Sequence, residues 1–265
     1  MSDYQLRFAG IGRLYGIAAL QRFRHAHVVV VGIGGVGSWA AEALARSGIG
    51  KITLIDLDDV CISNINRQLH ALSDTVGQDK VAVMAARILQ INPECEVVQV
   101  ADFITSDNLS PLLSGEIDYV VDAIDSIKAK VALLAYCKRN KIKVISTGGA
   151  GGQTDPTQIQ IADLTQTIND PLLAKVRNSL RRDYNYSRNP KRRFGIDCVF
   201  STEQLVYPQP DGTVCQQKTA QLDETGQPGS MRLDCSGGFG AVTVVTASFG
   251  LAAVAKVLKK LAQQS

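Results

Sequence analysis

With 265 residues, 45% of them hydrophobic and 20% charged, the chain has the composition of an ordinary soluble globular protein and the length for one large domain, or a domain with a substantial extension. A net charge of +3 neither requires nor excludes a nucleic-acid partner. No two of the six cysteines (Cys61, Cys95, Cys137, Cys198, Cys215 and Cys235) stand at CxxC spacing, so the usual structural zinc signature is missing and no structural zinc is expected. The polar start MSDYQLRF contains no apolar signal stretch, which predicts a cytoplasmic protein with reduced thiols.

In chain order, residues 27–31 (HVVVV) form a β-branched run that ends in glycines and reads as a buried parallel strand. Residues 38–47 have helical spacing, with Gly48 as C-terminal cap. Residues 51–56 (KITLID) predict a second strand, 80–90 a helix stopped by Asn92-Pro93, 96–100 a third strand and 119–122 (YVVD) a fourth. A helix over 127–140 and a fifth strand over 143–146 follow. Strands alternating with helices to about Gly148 predict an α/β fold with a doubly wound, mostly parallel Rossmann-like sheet. Residues 1–152 are expected to be the nucleotide-binding part, and 153–265 a C-terminal α/β extension completing the same domain. Within that extension the pattern predicts a half-exposed strand over 158–162, a short helix over 170–180 and a basic mobile loop over 181–193. A strand over 198–201, a long loop over 209–230 and a helix or strand–helix pair over 239–261 complete it. Residues 236–255 carry no charge; the stretch can be read as a membrane span, but its Gly, Ser and Thr content fits a buried helix better.

Gly32-Ile33-Gly34-Gly35-Val36-Gly37 joins the first strand to the first predicted helix. Gly32, Gly34 and Gly37 fit GxGxxG, where bare backbone and a helix N-terminus accept phosphate. Asp56 ends the next strand, at the distance expected of a ribose-binding carboxylate. These features predict a nucleotide but do not choose it, since a nicotinamide-dependent oxidoreductase begins the same way.

Three further motifs narrow the choice. Residues 54–68 read LxDxDxVxxSNxxRQ, residues 77–81 read GxxKV, and Asp122-Ala123-Ile124-Asp125-Ser126 follows the fourth strand. With the glycine loop, in this order, they resemble the superfamily of ubiquitin-activating enzymes and bacterial molybdopterin- and thiamine-biosynthesis adenylyltransferases, over about residues 7–149. The resemblance implies ATP and Mg²⁺, adenylation of a carboxylate, and a homodimer. It assigns Arg67 and Lys80 to the phosphates, Asp125 to Mg²⁺ and catalysis, Asp56 to the ribose, and Gly35, Asp58, Asn64 and Ser126 to the remaining nucleotide contacts. The family's RFxR-type stretch reads Arg7-Phe8-Ala9-Gly10 here, with glycine in place of the arginine that reaches the opposite subunit's ATP; Arg7 and Arg13 are the alternatives.

The carboxylate to be activated is suggested by charge. Lys175, Arg177, Arg181, Arg182, Arg188, Lys191, Arg192 and Arg193 face one acid, Asp183, with Tyr184 and Tyr186 between them; this is the footprint of a phosphate-backbone site and marks these eight as candidate tRNA-binding residues. VGIGGVGSWAAEALARSGIG, DDVCISNINRQLHA, INPEC and DPLLAKVR, without zinc cysteines, resemble the tRNA threonylcarbamoyladenosine dehydratases over most of the chain. That implies adenylation of the threonine carboxylate of N6-threonylcarbamoyladenosine in tRNA, then ring closure with loss of AMP. Alternatives are an adenylyltransferase acting on the Gly-Gly terminus of a small sulfur-carrier protein, the oxidoreductase, and a non-enzymatic tRNA-binding scaffold. Cys235 is a candidate reactive thiol and Cys198 a buried one; a cysteine desulfurase or sulfur-acceptor partner is conceivable for the superfamily. His25, His27 and His70 have no metal-ligand spacing.

Overall fold

A computed structural model describes residues 2–189, 191–209, 211–216 and 239–263. The elements are α1 (Asp3–Tyr15), α2 (Ile17–His25), β1 (His27–Val31), α3 (Gly37–Arg46), β2 (Lys51–Ile55), α4 (Lys80–Ile91), β3 (Glu96–Val100), α5 (Leu109–Leu112), β4 (Tyr119–Asp122) and α6 (Ile127–Arg139). They continue with β5 (Val144–Thr147), β6 (Ile159–Asp163), α7 (Pro171–Asp183), β7 (Asp197–Ser201), β8 (Tyr207–Pro208), β9 (Val214–Cys215) and α8 (Thr243–Ala262).

Seven strands form one sheet in the order β3-β2-β1-β4-β5-β7-β6; every pairing is parallel except β6 with β7. Side chains alternate across a strand, so the valines of β1 divide between two cores. Val28 and Val30 join Leu44 of α3, Met84 of α4 and Phe249 of α8 on one face, while Val29 and Val31 join Leu133 of α6 and Val176 of α7 on the other. This is the doubly wound arrangement, and β6, β7 and α8 extend the same sheet and core beyond residue 152. Gly250 lets α8 lie directly on α3, since a Cβ there would stand 2.5 Å from the Val36 carbonyl oxygen.

The helix pair α1–α2 ahead of β1, the short α5 and the two-residue strands of the β8–β9 hairpin carry no periodic signal long enough to read from sequence. Residues 181–183, expected in a loop, are the last turn of α7; Arg181 and Arg182 are good helix formers and simply prolong it. Most of the loop expected over 209–230 lies outside the described residues, as does Cys235. From Thr243 the C-terminal apolar stretch belongs to the single helix α8, and among the described residues no helix is long and apolar enough to cross a membrane.

Three elements are tied together at the carboxyl edge of the sheet by one buried cation. Lys130 of α6, fully buried, donates from Nζ to Asp122 Oδ2 at the end of β4 (2.7 Å), to Ser146 Oγ (3.2 Å) and to the Thr147 carbonyl (3.0 Å) on β5. Removing one partner of a fully buried pair strands the other's charge. Lys130→Met should therefore lower stability by about 3–5 kcal/mol in urea denaturation at neutral pH, as much as a large-to-small core truncation.

Candidate nucleotide-binding site

The cavity opens over the carboxyl ends of β1 and β4, where neighbouring strands lead to opposite faces of the sheet, the usual position for a ligand in such folds. It measures about 890 Å³. Gly32, Gly34, Gly35, Asp56, Asp58, Asn64, Arg67, Lys80, Asp125 and Ser126 all line it. Residues scattered over almost a hundred positions of sequence are thus gathered in one place.

The glycines act in different ways. Gly32 has φ +85°, and a Cβ there would meet the Ala123 carbonyl oxygen at 2.8 Å, so this bare turn lets the ends of β1 and β4 close up. Gly37 does not line the cavity. A side chain on it would collide with the Gly32 carbonyl, so its part is to seat α3 against the turn. Gly35 lies under the Arg67 side chain, 3.2 Å from its Cγ to the position of a Cβ.

Asp56 is held by its backbone neighbours: the Ile33 N–H donates to Oδ2 (2.6 Å) and the Asp58 N–H to Oδ1 (2.9 Å). Burial pushes its carboxyl above the ordinary carboxylate range, against the charge of Lys80 and these two N–H bonds. Lys80 is buried along its stem and pairs with the more exposed Asp58 at 2.8 Å. Arg67 donates from Nη1 to the Ser63 carbonyl (2.8 Å) and to Asn66 Oδ1 (3.1 Å), while the Trp39 indole N–H donates to its carbonyl (3.1 Å). Asn64 shapes the turn, its Oδ1 accepting from the Cys61 N–H at 3.0 Å. Asp125 and Ser126 are exposed at the start of α6.

Sequence reasoning did not find the opposite wall. Residues 147–151, Leu172 and residues 239–241 line it, together with residues 102–104 at the β3 end. The run Gly148-Gly149-Ala150-Gly151-Gly152 after β5 was the available signal. Residues 239–243 are pinned to the first wall, as the Asn66 side chain donates to the Ala241 carbonyl (2.8 Å) and Thr243 Oγ1 donates to the Asn66 carbonyl (2.5 Å).

The eight basic candidates separate into two groups. Arg177 is half-buried and spends Nη1 on the Leu164 and Thr167 carbonyls at 3.0 and 3.2 Å; Arg181 lies over the Phe194 ring. Arg182 pairs with Asp183 at 2.7 Å, whereas Lys175, Arg188, Lys191, Arg192 and Arg193 are exposed. Near the N-terminus, Arg7 pairs with Asp3 at 2.6 Å. Cys198 is fully buried, and burial pushes its thiol well above the ordinary range, as expected of a packing residue.

The fold and this cavity define a nucleotide-binding protein of the doubly wound α/β class, with two cations, Arg67 and Lys80, and an oriented carboxylate, Asp56, in the cavity wall. The chain belongs to the ThiF family, whose model matches residues 5–265. It is 60% identical to the tRNA threonylcarbamoyladenosine dehydratase of Escherichia coli over 259 residues, 97% of this chain and 94% of that one. Crystal structures of the E. coli tRNA N6-threonylcarbamoyladenosine dehydratase in complex with ATP and with AMP superpose with TM-scores of 0.85 and 0.86, at 55% and 56% identity, each covering 98% of this chain and 96% of the other.

Near Lys80, His70 is buried with no partner for either ring nitrogen among the described residues. Burial, with the charge of Lys80, lowers its pKa to about 4. Unfolded, it titrates near 6.5, so between these values the unfolded chain binds more protons and stability falls as pH falls. About 3 kcal/mol should be lost from pH 7 to below pH 4 through this residue. His70→Leu should flatten that part of the stability–pH curve relative to the parent, measured by denaturant titration at each pH.

Proposed function

We propose that this chain is an ATP-dependent enzyme that dehydrates N6-threonylcarbamoyladenosine in tRNA, closing its threonylcarbamoyl side chain into a ring through adenylation of the carboxylate. The observation that carries the reading is that one cavity gathers Asp56, Arg67, Lys80 and Asp125, in a chain aligned almost end to end with a dehydratase and with its ATP complex.

In this reading Asp56 accepts the ribose hydroxyls. Its orientation is already set by the Ile33 and Asp58 amides, so little ordering is needed on binding. Arg67 and Lys80 hold the phosphates, Lys80 exchanging the exposed Asp58 for phosphate oxygen. A Mg²⁺ ion fits Asp125, an exposed carboxylate on the cavity wall; among the described residues no cluster of three or more metal-ligating side chains exists, and Mg²⁺ is commonly held by one or two carboxylates plus phosphate and water. Bound there it would neutralise charge on the departing phosphates.

The threonine carboxylate oxygen attacks the α-phosphorus, the bond to the β-phosphate breaks, and pyrophosphate leaves. The carbamoyl group of the same side chain then attacks the acyl carbonyl, the acyl–phosphate bond breaks, and AMP carries away the former carboxylate oxygen. ATP is converted to AMP and pyrophosphate, and the nucleoside loses one water. The second step needs no enzyme nucleophile, because the reacting groups are tethered. The net reaction is ligase-type, with a bond formed at the expense of ATP. Residues 1–152 supply the nucleotide contacts and the glycine run of the second wall, and 153–265 supply Leu172, residues 239–241 and the basic segment. A homodimer is part of the reading, supported by the exposed apolar side chains Leu6, Leu14 and Ile17 of α1 and α2.

Incubation with ATP and tRNA carrying the modified nucleoside should release AMP and leave that nucleoside one water lighter by mass spectrometry, while unmodified tRNA gives neither. Lys80→Ala and Asp125→Ala should each reduce both products by about a hundredfold or more, as expected when a phosphate or a metal ion loses its ligand. Stimulation instead by a protein ending in Gly-Gly would identify the sulfur-carrier adenylyltransferase.

The tRNA contact rests on the exposed cations. Replacing Arg188, Lys191, Arg192 and Arg193 together by Gln should weaken tRNA binding at low salt and flatten the log K versus log salt plot by about 0.7–0.9 for each phosphate that is no longer neutralised. Arg177→Gln should act on stability instead, since its guanidinium already serves two carbonyls.

A further inference from the structure

Asp170 stands immediately before α7, and its two carboxylate oxygens do separate jobs. Oδ1 accepts the Leu173 N–H (2.9 Å) and so caps the helix. Oδ2 accepts the Gly149 N–H (3.0 Å), reaching back to the loop that follows β5. Gly148 has to be glycine for this approach, because a Cβ there would coincide with Oδ2. Both ends of the link face the cavity: Gly148 and Gly149 line it, and so does Leu172, in the first turn of α7. Burial pushes the carboxyl upward, opposed by the Leu173 and Gly149 N–H bonds and by the charge of Lys130. A buried carboxylate is expensive unless its oxygens are satisfied, so it keeps both amides in place.

We propose that Asp170 is a positioning residue for the adenylation site, its one carboxylate fixing the Gly149 backbone in the cavity wall and the first turn of the basic helix α7 beside it. Gly148 and Gly149 have no side chains to hold the loop, and the Gly148 N–H is spent on the Val199 carbonyl (2.8 Å). Without Oδ2 the Gly149 amide loses its acceptor, and the wall opposite Arg67 and Lys80 loses its fixed position. The Gly148-Gly149 loop follows β5, three strands along the sheet from β2, after which Arg67 and Lys80 stand, so the effect is expected on the carboxylate to be activated and not on ATP itself. In its kinetic part this inference rests on the reaction proposed above.

Asp170→Asn separates the two jobs. Its amide oxygen still caps Leu173, as Asn caps helices well, but its NH₂ cannot accept from Gly149. Asp163→Asn is the matched control: Asp163 is also buried and also accepts several backbone amides (Thr165, Phe194 and Gly195), none of them in the cavity wall. In hydrogen exchange on the full-length protein, protection over residues 147–153 should fall about tenfold or more in Asp170→Asn while α7 keeps its protection. With ATP and modified tRNA, kcat for AMP release should fall about tenfold or more while the Kd for ATP stays within about twofold, and Asp163→Asn should keep the parental kcat. Asp170→Ser, whose hydroxyl caps the helix but is too short for Gly149, should give the same split. Unchanged exchange over 147–153, or a loss of kcat in Asp163→Asn equal to that in Asp170→Asn, would overturn the inference. A parent enzyme that forms no AMP with modified tRNA overturns the reaction instead, and the exchange result still decides whether Asp170 holds the wall.

Discussion

The cavity depends on buried carboxylates that bind backbone amides at the carboxyl edge of the sheet. Asp56 takes the Ile33 and Asp58 amides, Asp122 takes the Ile124 amide, and Asp170 takes those of Gly149 and Leu173. Each pegs a loop that leaves the end of a strand or enters a helix. The loops themselves are rich in glycine and have few side chains with which to hold themselves. Charge-assisted bonds to backbone are among the stronger hydrogen bonds available to a protein, and they place the peptide unit itself, which is what a phosphate-binding turn requires.

Such an arrangement carries a charge problem, since anions gathered at a low-dielectric edge repel one another and a bound nucleotide. Two lysines answer it. Lys130 neutralises Asp122 directly and lowers the cost of Asp170 nearby. Lys80 does the same for Asp56, yet its ammonium is bonded to the exposed Asp58 and so remains exchangeable. One cation is therefore committed to the fold, and the other, in the proposed reading, moves to a phosphate. Residue type alone does not distinguish them; burial of the acidic partner does.

The sheet was legible because parallel strands with both faces covered, such as β1 and β4, read as continuous apolar, β-branched-rich runs; these two and the edge strand β3 have the bounds that the sequence predicts. The first cavity wall was legible because GxGxxG, Asp56, Arg67, Lys80 and Asp125 recur as linked motifs. The second was not, since it is built from bare glycine backbone, one leucine and residues 239–241 brought in across the fold, none of which announces chemistry. The pairing of Lys130 with Asp122, which opens the motif after the fourth strand, also escaped notice, because a fully buried lysine looks in sequence like any surface lysine of an amphipathic helix. The basic segment was overcounted for a related reason. Composition gives the charges but not their direction, and Arg177 and Arg181 turn inward to carbonyls and a phenylalanine ring.

The two walls differ in kind, and the difference suits a reaction in two steps. In the proposed reaction the first step moves negative charge onto a leaving phosphate chain, which Arg67 and Lys80, and Asp125 as a Mg²⁺ ligand, would stabilise on one side. The second joins two groups of the same substrate and asks mainly that the side chain be folded and water kept away. Glycine backbone with Leu172 and Phe239 offers a close, weakly polar surface for that purpose. The thiols of Cys95, Cys137 and Cys198 are buried, and burial pushes all three upward, Cys95 and Cys137 to about 12, so they remain protonated and out of reach of an activated carbonyl.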